Sequence, residues 1–104
     1  MPWQKNTTAY ANKLQVKKSG GRLFAVWGYN SKSTAQFIQV HDAASTPSDG
    51  AVPTITFLAQ PEDNFYFECP WGVAFKSGIF ICNSSTGPTK TIGSADCWFN
   101  ALYE

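Results

Sequence analysis

The chain has 104 residues and a mass of 11.4 kDa, room for one domain that hides only about two-thirds of its unfolded surface. A composition 43% hydrophobic and 15% aromatic suffices for one packed core and excludes disorder, collagen and coiled coil. Charged residues make up only 14%, and eight Lys and Arg against seven Asp and Glu leave a net charge of +1, so no nucleic-acid or membrane partner is expected.

Residues 1–12 hold Pro2, Trp3, Asn6, Thr7, Thr8, Tyr10 and Asn12 with no periodicity, and they read as an extended N-terminal arm. The domain proper is expected over 13–104. Lys13 to Lys18 alternates, with Leu14 and Val16 on one face, and Ser19-Gly20-Gly21 predicts a tight hairpin into a strand from Arg22 to Tyr29. That strand places Leu23, Ala25, Trp27 and Tyr29 opposite Phe24 and Val26, apolar on both faces, which predicts cover on both sides. Asn30-Ser31-Lys32-Ser33 is a turn, and Ala35 to Asp42 is a third strand.

A polar loop over 43–50 precedes a strand from Ala51 to Ala59, where Pro53 marks an edge or the strand's start. Gln60-Pro61-Glu62-Asp63 is a turn before the strand Asn64 to Glu68, and Cys69-Pro70-Trp71-Gly72 reads as a corner. Val73 to Phe75 and Gly78 to Asn83 are two strand pieces split at Lys76-Ser77-Gly78, a candidate bulge. The last strand runs from Cys97 to Tyr103 after a Gly93-Ser94-Ala95-Asp96 turn. About eight strands with no helix between them predict an all-β fold, a single antiparallel β-sandwich of jelly-roll or Greek-key type.

Little in the sequence has the spacing of catalytic chemistry. His41-Asp42 is the one adjacent acid–base pair, and a triad would need a nucleophile from a distant loop. Glu62, Asp63, Glu68, Asp42, Asp49 and Asp96 fall in or beside turns, where acids usually satisfy local amides; nothing pins two of them across a cleft, and no calcium-loop spacing appears. Cys69, Cys82 and Cys97 lack zinc spacing and are odd in number, and free thiols in a reducing cytoplasm are expected, with one bridge plus one leftover thiol as the alternative; the first residues lack the apolar segment of a secretory signal. Neither an enzyme nor a cofactor or metal site is expected.

The aromatic residues carry the remaining signal. Trp3, Tyr10, Tyr66, Trp71, Trp98 and Tyr103 exceed what a small core takes up. Exposed rings of this kind stack on sugars or anchor protein interfaces. Trp3, Tyr10, Trp71 and Tyr66 are the candidate partner-binding residues, the first two because the arm has no core of its own.

From Gly21 to Tyr103 the order of features resembles small structural proteins of tailed bacteriophages. The matching pieces are Val26-Trp27-Gly28-Tyr29-Asn30, Phe37-Ile38-Gln39-Val40-His41-Asp42-Ala43-Ala44, Pro47-Ser48-Asp49-Gly50 with Val52-Pro53, and Phe75-Lys76-Ser77-Gly78-Ile79. They continue through Asn83-Ser84-Ser85-Thr86 and Thr91-Ile92-Gly93 to Asp96-Cys97. The resemblance implies a non-enzymatic virion protein assembled in the host cytoplasm. Its expected role is capsid decoration (a cement protein) bound to the major capsid protein or other virion proteins, as a homo-oligomer with a trimer favoured. A glycan- or receptor-binding module on a tail or fibre is the alternative, with Trp71, Tyr66 or Trp98 as stacking platforms.

Overall fold

A computed structural model describes residues 2–104 and contains eight strands. They are β1 (Trp3–Asn6), β2 (Lys13–Lys17), β3 (Gly21–Asn30), β4 (Gln36–His41), β5 (Ile55–Ala59), β6 (Asp63–Phe75), β7 (Ile79–Ser84) and β8 (Cys97–Tyr103). Two four-stranded sheets form, in the orders β1-β8-β3-β6 and β2-β7-β4-β5. Every pairing is antiparallel. Four pairs nest inside one another: β4 with β5, β3 with β6, β2 with β7 and β1 with β8. The chain is thus one long antiparallel ribbon, closed at the β4–β5 turn and rolled until its two halves face each other.

The core lies between the sheets. β3 contributes Leu23 and Val26, β4 Ile38 and Val40, β7 Ile79 and Ile81, and β8 Phe99 and Ala101, all with no measurable exposure. Phe65 bridges the layers, its ring centroid 6.0 Å from Phe57 and 6.1 Å from Phe99. Burying an aromatic or large aliphatic side chain in this way stabilises the fold by about 1.5–3 kcal/mol.

Several expectations need correction. Within the segment read as an extended N-terminal arm lies a strand that the sequence did not announce, β1, paired with β8 through Trp3↔Tyr103 to Asn6↔Asn100. All four β1 residues are exposed, so no burial alternation could announce the strand. Ser19-Gly20-Gly21 turns the chain but makes no hairpin, because β2 pairs with β7 whereas β3 joins the other sheet. Lys76-Ser77-Gly78 likewise carries the chain from β6 to β7 in the opposite sheet rather than forming a bulge. The strand expected from Ala51 begins at Ile55.

Cys69-Pro70-Trp71-Gly72 is an excursion within the single strand β6, not a corner between two. Ala25 pairs with Glu68 and Leu23 with Val73, so Phe24 alone opposes these four residues. This is an enlarged β-bulge. Gly72 closes it at φ 82°, a left-handed conformation open to glycine, and Pro70 is tolerated where no ladder bond is needed. The irregularity also shifts the phase of β3: Leu23 and Val26 face the core, while Trp27 and Tyr29 turn outward opposite Tyr66 and Asn64.

Candidate functional site

The outer faces of the two sheets differ. On the β2-β7-β4-β5 sheet the outward residues Gln39, His41, Phe80, Cys82 and Ser84 are nevertheless buried, because the segments 42–54 and 85–93 lie over them. Gln39 Nε2 donates to the carbonyls of Thr86, Gly87 and Thr89 at 3.0–3.1 Å. The two segments are locked together by Lys90, whose Nζ donates to the Pro47 carbonyl at 2.9 Å and to Asp49 at 3.2 Å. The backbone continues the lock, with Gly50 N–H donating to Lys90 and Lys90 N–H to Ala51.

The β1-β8-β3-β6 sheet is covered less: residues 7–10 lie against its Trp98 and Asn100. Its register sets three rows of side chains across the strands on the outer face: Trp98, Tyr29 and Asn64; Asn6, Asn100, Trp27 and Tyr66; and Gln4, Leu102, Ala25 and Glu68. Tyr10 stacks on Trp98 at 5.7 Å and 13°, and Tyr29 leans on the same indole at 5.4 Å. A groove of about 570 Å³ opens beside them, lined by Trp27, Tyr66, Phe24, Pro70 and Leu102, with Pro2 at the β1 side and Glu68 as its charged member. Partial burial, followed by the neighbouring Glu68 carboxylate, raises the ionisation of the Tyr66 phenol above its ordinary value. A smaller hollow of about 290 Å³ is lined by Thr7, Thr8, Tyr10, Trp98 and Asn100.

Of the candidate residues, Tyr66 stands in the groove and Tyr10 lies on the same face, stacked on Trp98. Trp3 pairs with Tyr103, a row on the opposite side of β1, and is 64% exposed at the sheet edge. Trp71, at 79% exposure, projects from the β6 bulge and does not line the groove. The structure therefore unites two of the four. The sequence reading missed Trp27 and Glu68 as a pair. The two-sided apolarity of β3 was the available signal: on its outward face Ala25 is buried and Phe24, Trp27 and Tyr29 are half-buried.

The acid–base candidates are committed elsewhere. His41 Nε2 donates to Gln39 Oε1 at 3.0 Å, since the Gln39 amide nitrogen is already donating to carbonyls. Burial, and then the nearby Lys90 ammonium, push the His41 ionisation below the ordinary histidine value. Asp42 accepts the backbone N–H groups of Ser77, Lys76 and Gly78, which hold its carboxyl below the usual range. Asp49 is held low by Lys90 and by the Ile92 N–H.

Cys69, Cys82 and Cys97 are unpaired, and burial pushes the Cys82 and Cys97 thiols up to about 11, which makes them poor nucleophiles. Among the described residues no three His, Cys, Asp or Glu side chains gather around a metal position, and no helix is long and apolar enough to cross a membrane. Compared with known proteins, the chain matches no family model, no curated protein and no solved structure.

Proposed function

We propose that the chain is a jelly roll serving as a structural protein of a tailed-bacteriophage virion. Its role would be that of a decoration (cement) protein, docked on the capsid shell and acting as a homo-oligomer with a trimer favoured. Two observations support the fold name: the strand orders β1-β8-β3-β6 and β2-β7-β4-β5, and the nesting of the pairs, which is what rolling one ribbon into two Greek keys generates. The observation that carries the functional reading is the asymmetry of the two outer faces. One is roofed by its own loops, while the other presents the exposed rings of Tyr66 and Trp98 beside the half-buried Trp27 and Tyr29. Contiguous exposed apolar surface marks an interaction site, and Trp and Tyr dominate the energetics of such sites.

Size supports the oligomer. Four strands roughly 4.8 Å apart give a face about 20 Å wide and about 24 Å long. That is below the roughly 800 Å² each partner contributes to a stable interface. One copy would hold weakly; several linked copies on a repeating lattice would hold by avidity. Unpaired thiols accord with assembly in the host cytoplasm.

Incubation of the protein with isolated capsids, followed by sedimentation and by counting copies per particle, tests the reading. Wild type is expected to co-sediment in hundreds of copies, and Tyr66→Ala, which removes a 63% exposed side chain, to lose at least tenfold in affinity. Co-sedimentation that ignores every substitution on this face would rule the assignment out.

One observation favours the tail- or fibre-borne glycan module as a second reading. The smaller hollow sets the hydroxyl residues Thr7 and Thr8 and the Asn100 amide beside the Tyr10–Trp98 stack, neutral hydrogen-bonding groups next to flat rings. Retention on a glycan array, weakened by Trp98→Ala, would favour it.

A further inference from the structure

The larger groove differs in chemistry from the hollow beside it. Trp27 and Tyr66 stand at directly paired positions of β3 and β6, and Phe24, Pro70 and Leu102 complete apolar walls. Among the described residues the polar functions on its lining side chains are the Glu68 carboxylate, the Tyr66 hydroxyl and the Trp27 indole N–H. Glu68 sits two residues from Tyr66 on β6, so both point to the same face. Among the described residues no lysine or arginine pairs with this carboxylate.

A sugar ring carries several hydroxyls around its edge, and each would need a partner on losing water. The groove offers too few groups for that, and the Tyr66 hydroxyl already neighbours Glu68. A long basic side chain asks for something different: apolar walls for its methylene stem, aromatic faces for its charged head, and one carboxylate as counter-ion. The groove supplies all three. Arginine fits better than lysine, because its flat guanidinium stacks on rings and is more weakly hydrated than an ammonium.

We infer that the groove lined by Trp27, Tyr66 and Glu68 seats an arginine side chain presented by the docking partner, with Glu68 as its counter-charge. The assignment rests on the docking reading above and names the chemistry of its anchor point. It also addresses the small area of the face, since an aromatic-lined socket holding one basic anchor concentrates binding energy. The groove is wider than one side chain, which leaves room for the anchor's neighbours along the partner chain.

The full-length protein titrated with N-acetyl-arginine amide, followed by backbone and indole NMR shifts, tests the chemistry directly. The neutral isostere N-acetyl-citrulline amide serves as the comparison. Saturable shifts clustered on Trp27, Tyr66 and Glu68 are expected for the arginine probe, at least tenfold tighter than for citrulline, and lost in Glu68→Gln. Glu68 is exposed, so this variant keeps its fold, which the unchanged remainder of the spectrum reports. Equal binding of the two probes, no saturable binding, or saturation of the same residues by a neutral oligosaccharide instead would overturn the inference.

Capsid sedimentation separates it from the reading on which it rests. Glu68→Gln is expected to weaken capsid binding at least tenfold. Capsids that bind Glu68→Gln like wild type but lose Tyr66→Ala would leave docking standing and remove the arginine anchor. Capsids indifferent to both variants, with the arginine probe still saturating, would keep the groove's chemistry and remove the docking role.

Discussion

Buried polar residues set the finest constraints on this fold. Inside the sandwich Gln36 donates to Asn30 Oδ1 at 2.9 Å, and Asn83 donates to the Ser94 carbonyl at 2.9 Å. The remaining amide oxygens of both, Gln36 Oε1 and Asn83 Oδ1, have no hydrogen-bond partner among the described residues. A Cβ on Gly93 would sit 2.7 Å and 3.0 Å from these two oxygens, so a larger residue there would require the two amides to shift. Beneath the loop roof the constraint is one of protonation. His41 donates from Nε2, is 2% exposed and faces the Lys90 ammonium, itself held by Asp49 and the Pro47 carbonyl. Its folded ionisation lies below the unfolded value of 6.5, so the unfolded chain binds more protons at slightly acid pH and stability rises with pH there. The His41 contribution is therefore fully present above 6.5 and is lost as pH falls through the window beneath it. Asp42 and Asp49, depressed from 3.8, act in the same direction but only at lower pH, so they do not contaminate the range from 7 to 5. Urea midpoints measured across that range should fall towards pH 5 in the wild type and stay level in His41→Gln; parallel curves would show that His41 does not carry the slope.

At the scale of elements, β1 is the piece held least. Its four residues are all exposed, and it stays in place through its ladder with β8, extended by Thr7, whose N–H donates to the Phe99 carbonyl and whose Oγ1 accepts from the Phe99 N–H, both at 3.0 Å. Removing residues 1–6 should leave the sandwich folded and cost about 1–2 kcal/mol, a few net hydrogen bonds. It should also bare the edge of β8 to pairing with other chains. A melting point only a few degrees lower, with light scattering that grows with protein concentration, is the expected pair of results; complete unfolding would show β1 to be part of the cooperative core. The same strand shows where sequence reading stops. β2, β4 and β8 were legible to within a residue or so because their residues alternate between apolar side chains facing the core and others facing away, and β1 was not because all four of its residues are exposed. Turn residues announce a reversal but not the sheet that receives the next strand, so Ser19-Gly20-Gly21 looked like a hairpin. Pro and Gly in Cys69-Pro70-Trp71-Gly72 serve a bulge as well as a corner, and a bulge shifts the phase of everything that follows. Tyr10 and Tyr66 were legible as surplus rings, whereas Trp27, set in an apolar run, passed for core.

The whole molecule is a set of nested closures, which dictates an order of assembly. Thirteen residues separate β4 from β5, thirty-two separate β3 from β6, sixty-one separate β2 from β7 and ninety separate β1 from β8. Closing the outermost loop directly rather than the innermost costs about 1.7 kcal/mol more in chain entropy, since the cost grows with the logarithm of length. Once β4 and β5 have paired, however, β3 and β6 need only the short segments 31–35 and 60–62 to meet, and each later pair inherits the same advantage. Folding should therefore zip from the β4–β5 end outwards, on the millisecond-to-second scale of sandwiches dominated by distant contacts. Two substitutions at fully buried positions read the order. Ile38→Val in β4 removes one methyl group and should cost about 1 kcal/mol, most of it as slower folding. Ala101→Gly in β8 should cost a similar amount, almost all of it as faster unfolding. Stopped-flow refolding and unfolding across a urea series measures both, and the reverse assignment, with Ala101→Gly slowing folding and Ile38→Val leaving it untouched, would mean that the termini pair first and the ribbon closes from its open end.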